Sequence, residues 1–374
     1  MTRLILIILF FLFSLLAVFK APQYHLWLLA IAVTEFPWIF ISITLLLLGM
    51  GFWMQKCQLA STLIGVAALL LFLTPIARAH IVAATLNKNF TAVFGPESKD
   101  TLQNPFTFWG MFAGNPKPVN IRTLTYVKYT DTLMTLDFYP AHIDGKKPCV
   151  IVVHGGSWSS GDSQQLPELN NSLAMKGYNV AAINYRMAPK WQSPAPVEDI
   201  KNTLKYLREH ADELKIDTDN FVLLGRSAGA QIAALAAYTL HDKSIKGLVD
   251  FYGPMDMVWG YSVPSNPLVM DSRKVMRNYL GGSYTKVPRN YVASSPIEFV
   301  SGQSPPTLII HGGNDVLVAY EHSRRLDKKL TENSIKHFWL KLPWATHGFD
   351  FNINGPGGQL STYTVERFLN SVTR

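Results

Sequence analysis

Apolar positions run along this chain in two unlike ways. Residues 1 to about 80 are almost uncharged and dominated by Leu, Ile, Phe and Ala, whereas residues 81–374 mix apolar and polar positions as a water-exposed domain does. A helix needs about 20 apolar residues to cross a bilayer core, and stretches near 4–19, 37–54 and 59–77 come close. Lys20, Glu35, Lys56 and Arg78 fall at their edges, with Trp27, Trp38 and Trp53 nearby, as charged and amphipathic side chains do at headgroup level. The pattern predicts a transmembrane region over residues 1–80 with about three helices, and hence a multi-pass membrane protein. The first stretch also reads as a secretory signal with Arg3 as its charged start, although the two later stretches would still hold the product in the membrane. Loop charges are too evenly split to orient it: Arg3 and Lys56 oppose Lys20, Arg78 and Lys88. Residues 81–120, with Gly95-Pro96 and Asn115-Pro116-Lys117-Pro118, read as a linker or a cap, and residues 121–374 as a catalytic domain.

Within that domain the period changes from two to 3.6 and back. Two short strands, 123–129 and 133–139, would pair antiparallel. The run 149–153 is continuously apolar and ends at His154-Gly155-Gly156, as expected of a strand buried on both faces of a parallel sheet. Helix 165–176, strand 179–184, helix 196–213 and strand 221–224 follow, then a helix after Gly229 and strands 247–251 and 307–310. Helix 320–333, strand 337–342 and helix 360–373 complete the alternation. Strands alternating with helices predict an α/β fold with a mostly parallel, doubly wound sheet.

Charge and cysteine content narrow the function. Lys plus Arg exceed Asp plus Glu by 34 to 26, yet the excess is scattered and interleaves with no aromatic groove, so nucleic acid is excluded as a partner. The two cysteines, Cys57 beside the apolar segments and Cys149 entering a buried strand, read as free thiols.

A serine hydroxyl is a poor nucleophile at neutral pH and needs a base, a group to orient that base, and donors for the oxyanion that forms. Ser227 in Gly225-Arg226-Ser227-Ala228-Gly229 sits where strand 221–224 must turn into an Ala-rich helix, and Gly225 and Gly229 allow strand and helix to approach closely. The pattern alone is common; its place between strand and helix makes it specific. Of ten histidines, His347 in Ala345-Thr346-His347-Gly348-Phe349 is the one between the last strand and the terminal helix, where the base belongs. Asp315 in His311-Gly312-Gly313-Asn314-Asp315 leaves the preceding strand and fits the orienting acid, with Asp250 and Asp256 one strand earlier as alternatives. Gly155, Gly156, Ser157 and Ala228 are the candidate oxyanion donors through their backbone amides, and His154 reads as a brace for that loop.

These motifs, with Tyr185-Arg186-Met187-Ala188-Pro189 and Asp250-Phe251-Tyr252-Gly253-Pro254, resemble the hormone-sensitive-lipase-like branch of the α/β-hydrolases over roughly residues 120–374. The resemblance implies an α/β-hydrolase fold, a triad of Ser227, Asp315 and His347, and carboxylic-ester hydrolysis on short to medium acyl chains without metal or organic cofactor. With the apolar N-terminus, the expected protein is a membrane-anchored serine hydrolase of small-molecule or lipid esters, in contact with membrane lipids. Ser157 replaces the third glycine of the family's usual run, as in some formamidases and feruloyl-esterase-like enzymes, so aryl-formamide hydrolysis is the alternative chemistry. A catalytically silent tethered binding protein is the non-enzymatic one.

Overall fold

The computed structural model describes residues 1–54, 56–96 and 104–373. Four helices come first: α1 (Thr2–Ser14), α2 (Tyr24–Glu35), α3 (Pro37–Gly49) and α4 (Gln58–Phe94). Strands β1 (Arg122–Lys128), β2 (Leu133–Tyr139) and β3 (Lys147–Val153) follow, then α5 (Pro167–Met175), β4 (Asn179–Ile183), α6 (Ala195–Glu209), β5 (Ile216–Arg226), α7 (Ala228–Thr239) and β6 (Ile245–Phe251). Three short helices, α8 (Met257–Ser262), α9 (Ser272–Leu280) and α10 (Pro288–Ala293), precede β7 (Thr307–Gly312), α11 (Glu321–Glu332), β8 (His337–Leu342) and α12 (Pro356–Val372).

The eight strands form one sheet in the order β1-β2-β4-β3-β5-β6-β7-β8, in which β2 pairs antiparallel with β1 and β4 and all other pairs are parallel. Period-two side-chain alternation sends Cys149, Ile151 and Val153 of β3 into one apolar layer and Val150 and Val152 into the other. The first layer holds α6 and α7; the second holds α5 and α12 together with Leu86 and Phe90 of α4. Helix α7 is buried from Ala228 to Tyr238, which its small side chains permit against the sheet. The strand order positions the site, because loops leaving the carboxyl ends of β3, β5, β7 and β8 converge on one edge.

The N-terminal region departs from expectation. One helix, α4 with its 37 residues, is long and apolar enough to cross a membrane. The stretch from Tyr24 to Phe52 passes the same test only as a pair of helices bent by 85°, and Thr2–Ala17 is shorter, so the three expected spans are not found among the described residues. Composition concealed the break at Phe36-Pro37: Pro37 has no amide hydrogen to continue α2, and it opens α3 instead. Nor does the chain pause at residue 80. Helix α4 runs through to Phe94, so the first part of the expected linker is helical. Residues 97–103 of that linker lie outside the described residues, and Thr107 to Ala113 rest on the start of α12 through Gln359 and Asn354.

Candidate active site

Three strand ends bring three side chains to one point. Ser227 turns β5 into α7 with φ 52° and ψ −121°, a conformation that costs a non-glycine residue energy and lifts the hydroxyl clear of the sheet. Close packing around the turn explains the glycines: a side chain at Gly229 would collide with the carbonyl oxygens of Val153 and His154, and one at Gly225 with the backbone of Gly229 and Ala230. His347 follows β8 and places Nε2 3.0 Å from Ser227 Oγ. Its Nδ1 lies 2.7 Å from Asp315 Oδ2, beyond the end of β7. Ser227, His347 and Asp315 thus form a continuous relay.

The electrostatics favour an ionised Asp315. Burial opposes its ionisation, but the charge and hydrogen bond of His347 and the hydrogen bond of His311 outweigh burial and hold it well below the usual carboxylate range. Its Oδ1 accepts the amides of Leu317 and Val318, both at 2.9 Å. His311, four residues before Asp315, has a part that the motif alone does not show. Its Nε2 faces two acceptors, Asp315 Oδ2 and Val318 O, each at 3.1 Å, which assigns the proton there; Nδ1 then accepts from Ser323 Oγ at 2.6 Å.

Neither alternative acid reaches His347. Asp250 is fully buried and accepts the amide of Gly253 at 2.8 Å, and burial pushes its carboxyl up to about 7. Asp256 caps α8 through the amide of Trp259 and pairs with Arg325 at 2.8 Å. His322, in the same wall, is kept neutral because burial, with His311 and Arg325 nearby, lowers it to about 3.

The turn after β3 is sharply bent: Gly156, Ser157 and Trp158 all have positive φ. Gly155 departs from its expected role, since its N–H donates to Gln165 Oε1 at 2.7 Å and is not free for an oxyanion. The amides of Gly156, Ser157 and Ala228 make no hydrogen bond among the described residues. Ser157 Oγ approaches Met270 Sδ at 3.7 Å. His154 is buried, stacks on Tyr185 at 4.3 Å and holds Nδ1 2.7 Å from Gly155 O. Trp158 is fixed by Gln231 at 2.9 Å and a parallel Tyr279 ring.

A cavity of about 400 Å³ opens beside Ser227. Its wall is mostly apolar, with Trp158, Val263, Met270, Met276 and Leu317 among the lining residues. Its lining includes residues of the segment holding α8 and α9 and Lys20, Ala21 and Pro22, and none of the described residues of 81–120. Sequence reasoning passed over residues 254–276 because helices of six and nine residues offer too few turns to show a period. No cluster able to hold a metal occurs among the described residues.

An eight-stranded sheet of this order, with its second strand reversed and a serine on the turn after the fifth, defines an α/β-hydrolase fold. Residues 136–330, just over half the chain, match the family model described as BD-FAE. The chain belongs to the BD-FAE family. It is 29% identical over 242 residues to esterase LipC and 28% identical over 218 residues to esterase LipQ, both of Mycobacterium tuberculosis. Those matches cover 61% and 55% of this chain and 59% and 51% of the relatives, so it spans little more than half the length of the curated relatives it matches. Among solved structures, a bacterial heroin esterase superposes with a TM-score of 0.61 at 20% identity, covering 80% of this chain and 93% of that one. A hyperthermophilic esterase from Pyrobaculum calidifontis gives a TM-score of 0.60 at 21% identity, over 79% of this chain and 97% of the other. At such identities these likenesses speak for the fold.

Proposed function

We propose that the protein is a membrane-associated serine hydrolase that cleaves carboxylic esters through an acyl-enzyme on Ser227. The observation that carries this reading is the relay from Asp315 to His347 to Ser227, with contacts of 2.7 and 3.0 Å, ending at an apolar cavity. The ester names of relatives in the same family support the choice of substrate.

In the first half-reaction His347 Nε2 takes the proton of Ser227 as Oγ bonds to the ester carbonyl carbon, and the carbonyl oxygen becomes an oxyanion. The free amides of Gly156, Ser157 and Ala228 stabilise it; Ala228 stands at the first turn of α7, where the helix field favours negative charge. Collapse breaks the bond to the alcohol, which leaves with the proton from His347. Water then repeats the sequence on the acyl-enzyme and releases the acid. Asp315 keeps the imidazole in the tautomer with Nδ1–H and balances its transient charge. The cavity suits acyl groups of short to medium length, which its apolar lining would desolvate.

Helix α4 supports association with a bilayer: it has the length and hydropathy of a span, and Leu59, Leu63 and Leu70 are each more than 60% exposed on it. Replacing Ser227 with Ala is expected to abolish turnover of p-nitrophenyl butyrate and labelling by a fluorophosphonate; labelling that survives would end the assignment. A matched panel of esters and anilides, compared by kcat/KM, tests the ester preference.

A further inference from the structure

Residues 18–35 touch the loop that carries Asp315, the cover of the cavity and the loop that carries His347. Val18 O accepts from Asn314 Nδ2, beside the acid, at 3.1 Å. Pro22 O accepts from Asn266 Nδ2 at 2.9 Å, and the amide of Tyr24 donates to Leu268 O at 3.1 Å, which ties the start of α2 to the cavity cover. The densest ties are to the base loop. Trp27 Nε1 donates to His347 O at 3.0 Å, Asn352 Nδ2 donates to Glu35 O at 2.7 Å, and the amide of Gly357 donates to Glu35 Oε2 at 2.8 Å.

The base loop is shaped to receive this helix. A side chain at Gly348 would meet Ile31 at ordinary contact distance, 3.4 Å, whereas side chains at Gly355 and Gly357 would run into Glu35. Glycine at 348, with φ 80°, also leaves the backbone next to His347 intrinsically loose. Asp315 fixes the imidazole through Nδ1 and the Tyr252 ring packs on it at 4.3 Å, but neither contact holds the backbone of His347.

We propose that α2 is a working part of the active site, with Trp27 as a positioning residue that holds the backbone of His347 and thereby sets the distance from Nε2 to Ser227 Oγ. This rests on the serine-hydrolase reading above. Displacement of the base by about 1 Å costs up to roughly 100-fold in rate, and loss of one of several restraints on the loop should cost less than that. The N-terminal helices are then more than a tether, and turnover requires them to stay clasped to the catalytic domain.

The test uses the full chain in detergent micelles, with fluorophosphonate titration counting reactive sites. Parent labelling that disappears in Ser227→Ala establishes the underlying reading on its own. Trp27→Phe keeps an aromatic ring in α2 and removes the N–H donor with the rest of the five-membered ring. We expect kcat per titrated site to fall about 5- to 50-fold, with KM within twofold and slower labelling to match. Trp38→Phe, in α3 against Phe112, should leave kcat per site at the parental value. A merely structural role would reduce the number of titrated sites and leave kcat per site unchanged, and that result overturns the proposal. Asn352→Ala cuts a neighbouring tie from the loop side with Trp27 intact and should lower kcat per site by a smaller factor. If Trp27→Phe yields no titratable protein, Asn352→Ala decides: parental kcat per site there overturns the proposal equally.

Discussion

Asp250 and Asp315 leave adjacent strands and are both buried, yet their carboxyls are driven in opposite directions. Asp315 gathers His347, His311 and two amides; Asp250 has one amide, and its Oδ2 is unpartnered. Because the Asp250 carboxyl sits near 7 in the folded protein and near 3.8 when unfolded, the unfolded chain ionises first as pH rises. Its contribution to stability is therefore present at low pH, is lost progressively between about pH 4 and 7, and is flat above that. Asp250→Asn should accordingly stabilise the protein against the parent more at pH 8 than at pH 5, by a difference on the order of 2–4 kcal/mol in thermal unfolding. An unaltered pH dependence of melting would show that Asp250 does not titrate in this range. Gly229 is the opposite kind of residue, fixed by space and not by charge. Gly229→Ala must drive a methyl group into two carbonyl oxygens, and a loss of about 3 kcal/mol is expected in thermal unfolding.

Helix α4 carries two jobs in one element. At 1.5 Å per residue its 37 residues extend about 56 Å, well beyond the roughly 30 Å of a bilayer core. The portion before Arg78 has the composition of a span, and the portion after it docks on the catalytic domain. Leu86 and Phe90 are buried there, and Asn87 Oδ1 accepts from Tyr363 at 2.6 Å and Arg367 at 2.8 Å on α12. Asn87→Ala removes the shared acceptor from this seam and should destabilise the catalytic domain by about 1–3 kcal/mol in unfolding experiments. An unchanged midpoint would mean that the seam does not depend on the Asn87 acceptor.

At the scale of the molecule, the apolar helices and the hydrolase domain are one packed body. Phe72, Ala68 and Val33 form an apolar cluster among the N-terminal helices, while Ile76 and Ala79, one turn further along α4, already belong to the catalytic core. The outward side chains of the same region, including Ile5, Leu12 and Leu46, are more than half exposed, an apolar surface that water alone does not favour. The protein is therefore expected to sediment with membranes and to stay there through an alkaline carbonate wash. Recovery in the wash supernatant would remove bilayer insertion from the functional reading.

Sequence alone determined what depends on near neighbours. The alternation of periods set nearly every strand and long helix of residues 121–374: strands 133–139 and 337–342 appear with the expected ends, and Ser227 falls between β5 and α7. Chain order then singled out His347 and Asp315, which follow β8 and β7 as Ser227 follows β5. Tertiary structure decided what depends on distant chain segments meeting. That Gly155 is occupied by Gln165, that His311 shares the acid, and that Trp27 reaches His347 across 320 positions are facts of packing with no local signature. The three apolar stretches show the limit most clearly. Hydropathy reports that a side chain avoids water, and a bilayer, a bent helix pair and the flank of a catalytic domain all satisfy that preference.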